Sequence, residues 1–346
     1  MEPKDGGRVT LAEILAGVIV AALNAYVLLA GADFGGGVWD LFARGPRARA
    51  QRELVVQAIG PVWEANHVWL ILALVLLFTC FPPVFAQLSI RLHIPFALAL
   101  IGIVLRGSAF AFRSYGGQRD EVQQRWGGVF AGASIVTPLL LGMAVGAVAA
   151  GAVGEGGTGK GEGFVTLYVL PWVSPFAISV GVFALVCFAF LAAVYLTLET
   201  TDRALQEDFR RRGLVAGVAV MVTGIVALAL SRGGAEAVQR GLLGAPWSLP
   251  LHVLTGAAAV GALVGLWRRQ WRWARIAAAG EVSLILWGWA LGQYPYLIPP
   301  DFTIEGSAAP LITLGLAMGA IVLGGAVLFP SLYYLFHVFK GRASEV

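Results

Sequence analysis

Between Phe164 and Leu198 the chain carries no charged residue. Backbone amides and carbonyls find no water in a bilayer core, so only a helix, or a strand of a closed barrel, can carry them across. A run this long points to the helix. Similar runs recur, and with a threshold of about 18 apolar residues spans fall near 11–33, 54–80, 92–113, 128–152, 165–198, 214–230, 250–267, 274–294 and 311–339. The sixth and seventh are short. The fifth has length enough to tilt or to project beyond the membrane. Composition agrees: 58% of residues are hydrophobic, 13% are charged, and mean hydropathy is +0.78, whereas soluble domains are about a quarter charged. The expected architecture is an all-α polytopic membrane protein with nine transmembrane helices, forming one integral membrane domain over residues 1–346. The net charge of +4 matters through where positive residues sit, and nucleic acid is not an expected partner.

The loops orient the spans. Taken alternately, one set holds Arg44, Arg47, Arg49, Arg52, Arg113, Arg119, Arg125, Arg203, Arg210, Arg211, Arg212, Arg268, Arg269, Arg272, Arg275, Lys340 and Arg342. The other holds Lys4, Arg8, Arg91, Lys160, Arg232 and Arg240. Positive loops stay cytoplasmic, so nine helices place the N-terminus outside and the C-terminus inside. The first run ends in Ala-Gly-Ala, as a signal peptide would, but exceeds the usual apolar region of about 7–15 residues. It reads as a retained helix. Cys80 and Cys187 lie in apolar runs with no partner at metal spacing and read as packing residues. The segment "GEGGTGKGEG" (154–163) lacks the Ser or Thr and the preceding strand that a phosphate loop needs; it reads as an outer linker.

Against this background three charges stand out inside spans: Asp33, Glu64 and Arg106. Each costs about 2.5–3.5 kcal/mol on insertion scales, so a task is expected. Glu64 lies ten residues into its helix from Leu54, roughly 15 Å at 1.5 Å per residue. Arg106 is seven residues before Arg113 and Asp33 seven before Asp40, so all three belong to the arginine-rich half of the membrane. Glu64 and Arg106, on adjacent helices at similar depth, are candidates for pairing. Two readings stand side by side. Either the pair locks helices together, or Glu64 carries protons: burial favours a carboxyl's neutral form and a nearby guanidinium its charged form, which together allow exchange near neutral pH. Asn66 and His67 share this stretch, and Trp63 and Trp69 flank it as packing or shielding residues. A single helical His with no evident partner is a weak haem signal.

The strings "GADFGGG", "GPVWEANHVWL", "LFTCFPPVFA" and "LRGSAFAFRS", in this order, resemble subunit II of the cytochrome bd-type quinol oxidases, most densely over residues 28–115. "QYPYLIPP" is similar to a late stretch of the same family. The resemblance implies two four-helix bundles plus one peripheral helix. It also implies a respiratory complex in the prokaryotic cell membrane that oxidises quinol and reduces oxygen to water. Haem b and haem d belong to the partner, subunit I, so no directly bound cofactor and no metal are expected here. Further partners implied are a small accessory membrane subunit, lipid and quinone. Glu64 matches an acidic residue on a proton route, Trp69 and Arg106 border a route for oxygen or protons, and Asp33 matches a family aspartate; Arg113 supports them. The alternative is a proton-coupled secondary transporter, for which Glu281 and Arg275 are the nearest candidates in the second half.

Overall fold

The computed structural model describes residues 9–60, 63–115, 120–154 and 163–341. Its first helix, α1 (Leu11–Leu41), opens on a capping box in which Thr10 Oγ1 accepts from the Glu13 amide and Glu13 Oε2 accepts from the Thr10 amide. These bonds satisfy amides that the helix start leaves open. α1 does not end at residue 33 but continues through the glycines to Leu41.

The expected second span, 54–80, is two helices: α2 (Ala48–Ile59) and α3 (Trp63–Cys80). α3 then bends by 117° into α4 (Pro82–Arg91). Pro82 lies at the start of α4, where a missing amide costs nothing. α5 (His93–Tyr115) and α6 (Asp120–Ala149) follow.

The uncharged run after Phe164 is not one tilted helix either. Two short helices, α7 (Phe164–Tyr168) and α8 (Leu170–Val173), precede α9 (Pro175–Leu196). Pro171 and Pro175 are the physical cause, since proline cannot donate to the preceding turn and displaces the residue before it from helical geometry. Ser174 caps α9 by accepting from the Ala177 amide. Asp202 likewise caps α10 (Arg203–Gly234), which starts well before the apolar run expected at 214–230. α11 (Glu236–Gly244), α12 (Ser248–Trp267) and α13 (Trp271–Gln293) complete this half.

A small antiparallel ribbon, β1 (Tyr296–Ile298) with β2 (Phe302–Thr303), precedes the last helix, α14 (Leu311–Gly341). The sequence reading had no strand there. Ile298 from the ribbon is fully buried in one core cluster with Leu15, Phe81 and Leu92.

Among the described residues eight helices are long and apolar enough to cross a membrane, and the bent α3–α4 pair makes a ninth if counted as one span. The chain is therefore an all-α, multi-pass membrane protein. α1 packs on α3, α6 and α9; α5 packs on α6; α9 packs on α6, α10 and α13; α12 packs on α10 and α13. α14 touches α1 and α3 and is largely uncovered, with 6% of its apolar window buried.

Candidate functional site

Close helix packing comes first, because it decides which polar groups can meet. A Cβ on Gly35 would meet the Phe188 carbonyl and Ala192 of α9, and one on Gly37 would meet the Ser134 side chain of α6. Only glycine lets α1 approach both helices this closely. The glycines thus leave the helix intact and bring the Asp33 region against its neighbours.

Asp33 is fully buried, and Arg106 is 2% exposed. Arg106 Nη2 lies 2.6 Å from Asp33 Oδ1 and donates to the Asp33 main-chain carbonyl at 2.7 Å. The N–H is aimed at the carbonyl, so the contact with Oδ1 is coulombic and Oδ1 has no aligned donor among the described residues. Arg106 Nε donates to Ser134 Oγ at 3.0 Å, and Ser134 donates onward to the Phe130 carbonyl. The guanidinium sits 4.8 Å from the ring centres of both Phe34 and Phe130, a cation–π arrangement that strengthens when water is excluded. Asn66 Nδ2, from α3, donates to Asp33 Oδ2 at 3.3 Å. One carboxylate therefore joins α1, α3 and α5, with α6 supplying the serine.

A second pair lies two helical turns away. Arg113 donates from both terminal nitrogens to Asp40, each at 3.1 Å. Its guanidinium is 5.4 Å from the Phe130 ring, so that ring serves both arginines. Asp33 to Asp40 and Arg106 to Arg113 are equal steps of seven residues, about 10 Å along a helix. Equal steps pairing in the same order mean that α1 and α5 run parallel.

Next to this ladder several buried polar atoms lack described partners: Asn66 Oδ1, His67 Nδ1, Tyr26 Oη and Thr137 Oγ1. The His67 ring lies 6.3 Å from Tyr26 and 6.5 Å from Phe34. Trp69 packs, half-buried, against the cluster of Tyr26, Ala30, Phe34 and Phe188.

The expected site residues thus divide into two groups. Asp33, Asn66 and Arg106 come together, with His67 and Trp69 beside them and Arg113 one rung away. Trp63 and Glu64 lie in the first turn of α3, but their side chains fall outside the described residues. The described partner of Arg106 is Asp33; the pairing with Glu64 suggested by sequence lies outside the described residues. Residues 155–162 of the outer linker are also outside the described set. In the second half, Arg275 lies 3.9 Å from Glu199 and stacks over Tyr195, while Glu281 is buried in the α9–α13 core without a described hydrogen bond or ion pair. Arg275 and Glu281 do not form a pair. Sequence reasoning missed Asp40, Ser134 and Phe130; the matched seven-residue spacing was the available signal for Asp40.

His93 Nδ1 is bonded to the Ile90 carbonyl and His252 Nδ1 to the Ser248 carbonyl. Among the described residues no group of three or more His, Cys, Asp or Glu could hold a metal ion. Among the described residues His67 has Tyr26 and Phe34 as ring neighbours.

The family model described as cytochrome bd terminal oxidase subunit II matches residues 11–339. Over 329 residues, 91% of each chain, the protein is 22% identical to the putative cytochrome bd menaquinol oxidase subunit II of Bacillus subtilis. It is 33% identical over 129 residues to cytochrome bd ubiquinol oxidase subunit 2 of the same organism, covering 36% of this chain and 37% of the relative. With cytochrome bd-I ubiquinol oxidase subunit 2 of Escherichia coli the identity is 29% over 226 residues, covering 63% and 54%. The bd oxidase structure from Geobacillus thermodenitrificans contains a chain of the same fold, at TM-score 0.79 and 23% identity, with 96% of this chain and 99% of that one superposed. Matched from Leu11 almost to its last residues, the chain belongs to the cytochrome bd terminal oxidase subunit II family.

Proposed function

We propose that this chain is the haem-free second subunit of a quinol:oxygen oxidoreductase in a prokaryotic cell membrane. A haem-bearing subunit I beside it carries haem b, haem d and the quinol site, and the complex reduces oxygen to water. Family membership supports this, as do relatives whose names specify ubiquinol and menaquinol oxidases. The scattered histidines favour placing the haems in the partner. A small accessory membrane subunit, lipid and quinone complete the proposed surroundings. The N-terminus lies outside and the C-terminus in the cytoplasm. The packing of α1, α3, α5 and α6, and of α9, α10, α12 and α13, supports two four-helix bundles with α14 peripheral, all within one membrane domain.

Within that complex the chain provides a proton route from the cytoplasm. The observation that carries this reading is the buried Asp33 carboxylate, held by Arg106 and Asn66, amid polar atoms without partners among the described residues. Such atoms are where buried proteins hold ordered water, and a carboxylate with water beside it can pass protons. Glu64, two residues before Asn66, is the proton carrier. Asp33 and Arg106 hold the fixed charges that orient the route, Asn66 ties α3 to them, and Trp69 limits entry of bulk solvent.

The test is Glu64→Gln in the whole complex. It keeps size and hydrogen bonding and removes the titrating proton. The complex should assemble with its haem spectrum intact, while oxygen consumption with saturating quinol falls more than about tenfold, a barrier increase above about 1.4 kcal/mol. Glu64→Asp should retain much of the activity. Parental turnover in a fully assembled Glu64→Gln complex makes the residue structural.

A further inference from the structure

The arginine-rich end of the molecule contains a cleft that the proton route does not use. It has a volume of about 290 Å³, and its walls include Arg44, Arg47, Gln51, Asp208, Arg211 and Arg212. Four guanidinium groups face a single carboxylate, and that carboxylate is already occupied. Arg47 donates to both Asp208 oxygens, at 2.6 and 2.8 Å, and Gln51 donates to one of them at 2.8 Å. These bonds push the Arg47 pKa up. Arg44 has no described acceptor, and Arg211 reaches only Glu207, at 3.6 Å.

Arg212 is the built part of the cleft. Its guanidinium lies 5.0 Å from the Phe209 ring and 5.4 Å from the Trp39 ring. Nη2 donates to Gln51 Oε1 at 2.7 Å and to the Phe42 carbonyl at 3.2 Å. Nη1 is buried and has no described acceptor. With Asp208 already paired, the arginines lining the cleft leave a surplus of positive charge, so the cleft favours an anion.

The apolar surface next to the cleft identifies the kind of anion. One turn past Arg211 on α10, Val215 is 71% exposed, and Val218, Val222 and Ile225 continue the same helical stripe to 66% exposure at Ile225. Leu41 and Phe42, beside Arg212, are exposed as well. Positive charge on α10 directly before an apolar stripe matches a molecule with an anionic head and hydrocarbon tails.

We propose that this cleft binds the phosphate of an anionic phospholipid, with its acyl chains along the Val215–Ile225 face of α10. The site needs only a bilayer around the chain, so it stands apart from the proton-route reading. The test uses the purified complex in lipid nanodiscs, titrated with spin-labelled phosphatidylglycerol or phosphatidylcholine. Phosphatidylglycerol should bind in preference. Arg44→Gln/Arg211→Gln should weaken it by more than about fivefold, since each basic residue near an anionic surface contributes about that factor, and leave phosphatidylcholine unchanged. Val215→Ser/Val218→Ser, with every arginine in place, should also weaken it. Arg268→Gln/Arg272→Gln, which removes the same charge at another loop, should have no effect. The proposal fails if the first variant binds like the parent, if the loop control loses as much, or if the valine variant loses nothing. Full displacement of the lipid by inorganic phosphate would also overturn it, by showing a site for the free anion.

Discussion

Asp33 presents one oxygen to Arg106 and the other to Asn66. Both partners are buried, so removing the guanidinium leaves a carboxylate in low dielectric without a counter-charge. Breaking a buried pair in this way costs about 3–5 kcal/mol. Arg106→Leu should therefore cut the yield of monodisperse complex sharply on size-exclusion chromatography. Arg106→Leu/Asp33→Asn should restore much of that yield, because the orphaned charge goes too. Equal yields from the single and double variants would show that the two residues are not coupled. The sequence identifies Asp33, Glu64 and Arg106 by their cost in a membrane and puts all three at similar depth, yet it does not single out Asp33 as the arginine's partner. Depth arithmetic alone does not reveal the Asp33–Arg106 pair. Counting residues at 1.5 Å each gives the level of a side chain along its helix and says nothing about its direction around the axis, and the choice of partner depends on that direction.

At the scale of elements, hydropathy locates helices well and their breaks poorly. The apolar run at 165–198 reads as one helix although Pro171 and Pro175 divide it, because a hydropathy window weighs side chains and ignores the missing amide. The start of α10 is hidden for the opposite reason: its first turns are charged and still helical, capped by Asp202. Glycine gives an ambiguous signal of the same kind. The span estimate stops at residue 33, before the glycines, and the structure uses them as a close-contact surface inside an unbroken helix. Gly35→Val should accordingly separate α1 from α9. Overpacking of this kind costs about 1–3 kcal/mol, which a lower thermal midpoint in detergent will report. Gly17→Ala, where nothing lies within 4 Å of the added carbon, should melt like the parent. Matching midpoints for Gly35→Val and the parent would mean that α9 yields freely at this contact.

For the whole molecule, the alternation of arginine-rich and arginine-poor loops carries the topology. Reporter fusions after Arg52, Arg125, Arg212 and Arg275 should all give a cytoplasmic signal. An outside signal at any of them relocates a span between that loop and its neighbour. The bent α3–α4 pair is the critical segment, since the ninth crossing depends on counting it as one.

The paired rungs on α1 and α5 also restrict how the bundle can move. Sliding one helix past the other by a single turn, about 5.4 Å, would take both arginines out of reach of both aspartates at once. Sliding by two turns would re-form one pair and strand the other two charges in the membrane. The two helices are keyed like a ratchet with only one seated position. Alternating access requires one part of a transporter to rock against another around the bound solute, and these rungs resist such rocking. A proton needs no such displacement: it can hop between side chains while the scaffold stays still.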